Sequence, residues 1–230
     1  PLSIVIPCKN EEESIFSMLT ELKQVLDTDG IFYEIIVVNN NSTDRSEKEA
    51  LRVPGVKVIF CEKPGYGVAI RTGVDNASYE HICKLDADGS YNPLYIKSLL
   101  ELLQNTDSKL TLGNRFIGGN TSNIKLLHKI VGVPALNFVT NKLFKAPEAF
   151  DSHCGLRVFK KEIIKDLNLH HDDFSFANEM ICKGLKQKIK IKQIPIVLRK
   201  DLRVLTISKI KTIQDGFYAL KTILKIRFSK

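Results

Sequence analysis

Asp86 and Asp88 stand one residue apart in His81-Ile82-Cys83-Lys84-Leu85-Asp86-Ala87-Asp88-Gly89-Ser90. Two carboxylates so close repel each other, and a hard divalent cation is the usual relief. Mg²⁺ or Mn²⁺ takes oxygen ligands, keeps several waters and fills its remaining positions with phosphate oxygens of a substrate. The apolar run before Asp86 reads as a strand that breaks on Gly89. Both carboxylates then sit at the carboxyl end of a buried strand, where open α/β sheets hold their ligand crevice. A solvated turn would also use Asp and Gly, so the pair gains meaning only from the rest of the chain.

The elements that must position it are legible from periodicity. Residues 2–7 form a compact apolar strand. Acidic Glu11, Glu12 and Glu13 follow, then Ile15, Met18, Leu19, Leu22, Val25 and Leu26 at helical spacing, with the acids at the positive end of the helix dipole. Residues 33–38 and 56–60 are further strands. Ser42 or Thr43 is placed to cap the helix between them, with Glu47 in its first turn. Lys63-Pro64-Gly65-Tyr66-Gly67 opens onto a helix over 68–77. Repeated strand–helix units mean βαβ crossovers and a mostly parallel sheet covered on both faces.

Further on, Ile96, Leu99, Leu100 and Leu103 mark a helix, 109–113 a strand and 114–120 its exit loop. The spacing predicts a helix over 124–144 interrupted at Pro134, a loop entering a strand over 151–159 and a helix over 174–183. Residues 189–198 read as a strand whose Pro195 suits a sheet edge. The expected architecture is α/β: one domain over 1–205 and a basic amphipathic helical tail over 206–230.

Composition, 43% hydrophobic and 26% charged, is that of a globular protein, and no run of eighteen apolar residues occurs. The first residues carry no basic n-region, so no signal peptide is expected. Five scattered cysteines without a Cys-x-x-Cys pair argue for buried, reduced thiols and against a zinc site. Charge is lopsided. Residues 183–230 hold 14 Lys/Arg against Asp201 and Asp215, whereas 1–182 hold 20 basic and 24 acidic side chains. A basic end on a slightly acidic body points to an anionic partner.

The order of motifs resembles the family 2 glycosyltransferases of the GT-A fold. It runs from Ile4-Val5-Ile6-Pro7 with Asn10-Glu11-Glu12, through Val37-Val38-Asn39-Asn40-Asn41-Ser42-Thr43-Asp44 and Pro64-Gly65-Tyr66-Gly67, to Asp86-Ala87-Asp88-Gly89-Ser90. Gly113-Asn114-Arg115-Phe116, Asp151-Ser152-His153-Cys154-Gly155-Leu156-Arg157, Phe176-Ala177-Asn178-Glu179-Met180 and Ile194-Pro195-Ile196 continue it, in the manner of the dolichyl/polyprenyl-phosphate sugar synthase branch. No single motif is specific; the ordered set is.

The resemblance implies a single Rossmann-like GT-A domain and inverting, metal-dependent transfer from a nucleoside-diphosphate sugar. It implies that Asp88 ligates the metal and Asp86 supports the sugar-nucleotide, with Ser90 at a further ligand position. Pro7, Cys8, Asn10, Glu11, Asn39 and Ala87 would line the donor pocket. Lys63, Gly65 and Gly67 form a loop whose backbone can approach the nucleotide. The family commonly has Asp at position 39. A carboxylate pairs well with the two N–H donors of guanine, so Asn39 favours a UDP-sugar over a GDP-sugar. Asn41 replaces a usual glycine and tolerates the left-handed conformation.

The acceptor divides the readings. A saccharide hydroxyl needs a general base, for which Asp151 and Glu179 are the candidates. A lipid phosphate is already anionic and needs cations instead. Arg115, His128 and Lys129 stand where the branch gathers them, Arg115 being suited to bidentate contact. A surface strand residue is the expectation for Arg157. A polyprenyl-phosphate acceptor at an anionic membrane surface, on its cytoplasmic inner face, agrees with the basic tail.

Rival classes fare worse. A non-catalytic nucleotide-sugar or lipid-phosphate binding relative would fit Asn39 but not the intact Asp86/Asp88 pair. A nucleotidyltransferase would need a glycine- and arginine-rich loop after the first strand, and a dinucleotide-dependent oxidoreductase Gly-x-Gly-x-x-Gly; Pro7-Cys8-Lys9-Asn10 is neither. Nucleic acid is not an expected partner, because no stacking aromatics accompany the basic tail.

Overall fold

Continuous apolar sequence makes the central strands. The computed structural model describes residues 1–117, 132–200, 202 and 209–228; His128 and Lys129 lie outside them. In β1 (Leu2–Cys8) successive residues are buried whichever way they point, as they are in β2 (Tyr33–Asn39) from Ile35 onward. Such strands need cover on both faces. From β1 the sheet grows outward through β2 to β3 (Val56–Phe60), all parallel. The chain then returns to lay β4 (His81–Lys84) parallel on the other side of β1. This reversal opens a crevice between the carboxyl ends of β1 and β4.

Beyond β4 the sheet changes direction. Strand β6 (Arg157–Lys160) runs antiparallel between β4 and β5 (Leu110–Asn114). Strand β7 (Ile191–Pro195) closes the far edge, parallel to β5. The sheet order is thus β3-β2-β1-β4-β6-β5-β7. Pro195 lies on an edge strand, where a missing N–H costs no ladder bond.

Helices cover the sheet through stripes set by 3.6-residue spacing. In α1 (Ile15–Thr28) Ile15, Met18, Leu19, Leu22 and Leu26 are buried. Each such leucine contributes roughly 1.5–3 kcal/mol of transfer free energy. Just ahead of helix α2 (Ser46–Leu51), whose N-cap is Arg45, Asp44 accepts the Ser46 N–H at 3.0 Å. The expected caps are used elsewhere: Ser42 Oγ accepts the Asn10 N–H, and the Thr43 N–H donates to Asn10 Oδ1. Helix α3 (Tyr66–Asp75) packs so close that a Cβ on Gly73 would run into Val5 and Val38. Helix α4 (Tyr95–Gln104) buries the leucine stripe expected of it.

Pro134 sits in the first turn of α5 (Val133–Leu143), where its lost N–H is harmless; residues 124–131 of the expected helix lie outside the described residues. A short α6 (Ile163–Asp166) follows β6 and leads to α7 (Ser175–Lys186). The tail helix α8 (Lys209–Phe228) is docked, not free. Ile223 and Ile226 form a separate small core with Cys182 of α7 and with Leu136, Val139, Leu143 and Phe144. Phe217, Tyr218, Lys221, Leu224, Lys225 and Phe228 share the opposite, exposed side. All five cysteines are free and buried.

Candidate active site

Strand register decides what surrounds Asp86. Lys84 pairs with Val5 of β1 on one side and Arg157 of β6 on the other. Continued by two residues, the antiparallel register sets Gly155 against Asp86. A Cβ at 155 would overlap the Asp86 carboxylate and crowd the Tyr91 ring, so glycine is what admits that carboxylate. The Gly155 N–H donates to Tyr91 Oη at 2.6 Å. Asp86 Oδ1 is ion-paired with the buried Lys84 ammonium and lies 3.4 Å from Tyr66 Oη. Burial pushes the Lys84 pKa down and Asp86 opposes that shift. Asp88 Oδ1 accepts the Ser90 N–H at 3.0 Å and Ser90 Oγ at 2.7 Å, across a turn in which Gly89 takes φ +71°. Asp86, Asp88 and Ser90 offer only hard oxygen donors. That set fits Mg²⁺ or Mn²⁺ and lacks the His and Cys that softer metals select.

The donor-pocket residues expected at the end of β1 interlock with the loop after β2. The Cys8 carbonyl accepts the Asn40 N–H at 2.8 Å, while burial pushes its thiol up to about 12. Cys8 therefore offers backbone, not a nucleophile. Asn10, at φ +56°, reaches across to Thr43, and the Glu11 N–H donates to Ser46 Oγ at 2.7 Å. Asn41 adopts φ +62°.

Asn39 is buried with both ends of its amide engaged. Nδ2 donates to Glu47 Oε2 at 2.7 Å and Oδ1 accepts the Ser42 N–H at 3.0 Å. An aspartate here would set a buried carboxylate against the exposed carboxylate of Glu47. Asn39→Asp is therefore expected to cost about 1–3 kcal/mol, the penalty of a buried group left facing the wrong partner. Chemical denaturation would read it, and Glu47→Gln in the same chain should restore most of the loss.

Gly65 and Gly67 are needed for a close approach, but what approaches them is protein. A Cβ on Gly65 would strike the carbonyl of Asp172, and one on Gly67 that of His171 and the Phe176 side chain. The Gly67 N–H donates to Asp172 O at 2.8 Å. The Asp172 side chain binds Lys63 Nζ at 2.6 Å and Arg71 Nη2 at 2.5 Å. Those bonds, Lys63 first, hold its carboxyl below the usual carboxylate range. Phe174 stacks on Tyr66 with ring centroids 4.6 Å apart. Residues 170–174 thus form a strap across the glycine loop.

Glu179 anchors that strap. It is fully buried, and Oε2 accepts the N–H groups of His170 and His171 at 3.1 and 3.0 Å. His170, His171 and Glu179 are the one grouping of metal-binding size among the described residues. The Lys183 ammonium, 2.7 Å from Glu179 Oε1, already supplies a cation there.

Asp151 is equally committed. It is fully buried and grips Arg115 through Nε at 2.6 Å and Nη2 at 2.9 Å. It also accepts the Arg115 backbone N–H at 3.2 Å. Burial pushes the Asp151 carboxyl up, but the guanidinium outweighs it and holds the group below the usual carboxylate range. The Arg115 Nη1 edge has no hydrogen-bond partner among the described residues. Burial pushes Tyr91 well above the ordinary phenol pKa, so it stays neutral between Arg115 and Asp86, both within its electrostatic reach. Arg157 is no surface residue: it is buried and donates to the carbonyls of Cys154, Ala177 and Ser152 at 2.7–2.9 Å. Sequence reasoning passed over Lys84, Tyr66, Tyr91 and Asp172. Lys84 alone gave a signal, a charge inside an apolar strand two residues before Asp86.

Known proteins resemble this chain in sequence and in fold. A low-salt glycan biosynthesis hexosyltransferase of Haloferax volcanii is 30% identical over 196 residues, covering 85% of this chain and 47% of the relative. A dolichol-phosphate mannosyltransferase of Pyrococcus furiosus is 28% identical over 193 residues, covering 82% and 54%. The chain thus spans about half the length of these curated relatives. Among solved structures, glucosyl-3-phosphoglycerate synthase from Mycobacterium tuberculosis, in complex with Mn²⁺, UDP and phosphoglyceric acid, superimposes with a TM-score of 0.77. At 19% identity it covers all of this chain and 79% of its own, and establishes the GT-A type of fold. The model of glycosyl transferase family 2 matches residues 3–167, and with it the crevice at Asp86 and Asp88 acquires a lineage: the chain belongs to that family.

Proposed function

We propose that this chain is the catalytic part of an inverting, metal-dependent transferase that moves a sugar from a UDP-sugar to a polyprenyl-phosphate-type lipid at an anionic membrane surface. The observation that carries the acceptor is the state of the two candidate bases. Asp151 and Glu179 are both buried and bound to cations and backbone N–H groups, so neither is placed to take a proton from a hydroxyl. A phosphate acceptor requires no base. It requires a fixed cation, and Arg115, clamped by Asp151 with its Nη1 edge turned elsewhere, is one. The dolichol-phosphate mannosyltransferase among the relatives supports the same acceptor class.

Asp88, with Ser90 and Asp86 beside it, would hold Mg²⁺ or Mn²⁺, which when bound offsets the charge that develops on a departing diphosphate. The segment 7–11 and the loop 39–46 enclose the nucleoside. Asn39, with its amide orientation set by Glu47 and Ser42, keeps a second N–H and a second oxygen lone pair, the donor and acceptor that uracil requires.

The exposed side of α8 supports the membrane surface. Phe217, Tyr218 and Phe228 alternate there with Lys221 and Lys225, the pattern of a helix lying in an interface. Among the described residues no helix is long and apolar enough to cross a membrane. We place the contact of α8 on the cytoplasmic inner face, where anionic lipids attract basic segments.

A transfer assay tests the reading. UDP- and GDP-sugars would be offered with Mn²⁺, against a short polyprenyl phosphate, the matching polyprenol and a free saccharide. Product on the lipid phosphate from a UDP-sugar is the expected result. Product on the saccharide alone would overturn the acceptor, and no product on any acceptor would leave a non-catalytic nucleotide-sugar or lipid-phosphate binding relative in place of an enzyme.

A further inference from the structure

Adjacent side chains of a strand point to opposite faces. Those of His170 and His171, in the irregular stretch before α7, stack instead, with ring centroids 5.2 Å apart and an interplanar angle of 22°. Glu179 of α7 sits against both. Its Oε2 accepts their two backbone N–H groups at 3.1 and 3.0 Å, which orients the carboxylate. Its Oε1 is also buried and takes no directed hydrogen bond among the described residues. His170 Nδ1 lies 3.2 Å from that oxygen. Two ligands of a tetrahedral zinc ion, each about 2.0–2.1 Å from it, are about 3.3 Å apart, so one edge of a coordination sphere is already in place. His171 brings a third donor, and one ligand atom of each group lies within 4.8 Å of the others. The His171 backbone N–H and carbonyl are both bonded, whereas its ring nitrogens make no hydrogen bond among the described residues.

Lys183 stands beside this edge. Its ammonium is 2.7 Å from Glu179 Oε1 and 3.3 Å from His170 Nδ1, and it donates to the Asn168 carbonyl at 2.6 Å. It answers the charge of Oε1 without a directed hydrogen bond to it. Its side chain is 16% exposed and carried on a flexible stem, so it can withdraw into water.

We propose that His170, His171 and Glu179 form a second metal site, for a borderline ion of the Zn²⁺ class, which displaces the Lys183 ammonium and leaves its fourth position to water. Two imidazoles and a carboxylate select such an ion, whereas Mg²⁺ and Mn²⁺ prefer the all-oxygen turn at Asp88. The backbone bonds to Oε2 are the outer support that a ligating carboxylate needs. The ion ties 170–171 to α7, next to Asp172 and its bonds to Lys63 and Arg71, and so sets how firmly the strap closes on the glycine loop. Nothing in the proposal rests on the transferase reading.

The test is a Zn²⁺ titration of the whole chain against a chromophoric chelator, with excess Mg²⁺ present to mask the all-oxygen turn. Wild type should take up one ion and gain thermal stability with it. His171→Ala should lose more than the roughly 10–100-fold in affinity that loss of an outer partner of a metal ligand costs. His171→Cys keeps a zinc ligand and should stay within about tenfold of wild type; a ring needed only for stacking would not be rescued by a thiol. Lys183→Met should bind Zn²⁺ about tenfold more tightly, because one competing charge is gone. Asp88→Asn should bind it as wild type does. Affinity that survives His171→Ala, or that falls in Asp88→Asn, would put the ion elsewhere and overturn the proposal. No uptake by wild type, no rescue by cysteine, or equal or weaker binding by Lys183→Met would overturn it as well. Should Lys183→Met not fold, the two His171 variants decide alone. No nucleotide or sugar enters these measurements, so their failure leaves the transferase reading standing.

Discussion

Asp88→Asn is expected to lower kcat/KM for sugar transfer by on the order of 10³-fold while leaving the fold in place. The size follows from what is removed. Departure of a diphosphate concentrates negative charge in a low-dielectric crevice, and preorganised positive charge there is the largest single source of acceleration. The survival of the fold follows from what is kept. Asp88 Oδ1 accepts the N–H and hydroxyl of Ser90, and an asparagine oxygen accepts both equally well. The backbone bond from the Leu202 N–H to the Asp88 carbonyl is untouched. The measurement is a pair: steady-state transfer with saturating Mn²⁺, and thermal unfolding in the absence of metal. Full activity in the variant would remove Asp88 from the site, and a collapsed melting transition would make the loss of activity uninformative about metal.

Arg115→Met should be the costliest substitution for stability, at about 3–5 kcal/mol, because it strands a fully buried carboxylate. The pH dependence gives the sharper signature. In the wild type the guanidinium holds the folded-state pKa of Asp151 below its unfolded value. The stability this contributes is present above the ordinary carboxylate range and is lost as pH falls through the depressed value. In Arg115→Met the guanidinium is gone and burial, the largest cause, is opposed only by neutral N–H groups of residues 115, 137 and 153 and by His153, so the folded pKa is expected above the unfolded one. Protonation then favours the folded state, so relative to wild type the variant should gain stability between about pH 7 and pH 5, where the ionised Asp151 of the wild type contributes no slope. Urea unfolding across that window decides the matter. A variant that lost stability on acidification there would show that Asp151 has another cationic partner.

The parts of this molecule that could be read from the sequence are those set by short-range pattern. Continuous apolar strands, the leucine stripe of α4 and the break at Gly89 each depend on neighbours a few residues away, and each is where periodicity put it. What escaped depends on register between distant strands. Arg157 is a charged residue in a short strand, and only its pairing opposite Lys84 and beneath α7 makes it a buried hub. Gly67 offers the same lesson. A glycine beside a ligand and a glycine beside another stretch of backbone look identical in one dimension, and the His171 carbonyl that Gly67 makes room for lies more than a hundred residues away. Asp151 and Glu179 were visible as carboxylates, but the guanidinium and backbone N–H groups that bind them were not.

The strap over 170–174 bears on where one folding unit ends. The stretch shared with the family stops at residue 167. Three features inside that stretch are completed from outside it: the glycine loop by Asp172, the Arg157 guanidinium by the Ala177 carbonyl, and the open side of β5 by β7. A piece cut at the shared boundary would carry every residue of the metal turn. It would also carry an unclosed loop, a buried cation short of an acceptor and a bare sheet edge of the kind that recruits other chains. The motif-bearing part of the chain is therefore not a module that can be transplanted. Its autonomy is borrowed from the sixty or so residues that follow, whose sequence carries little of the chemistry and much of the scaffold.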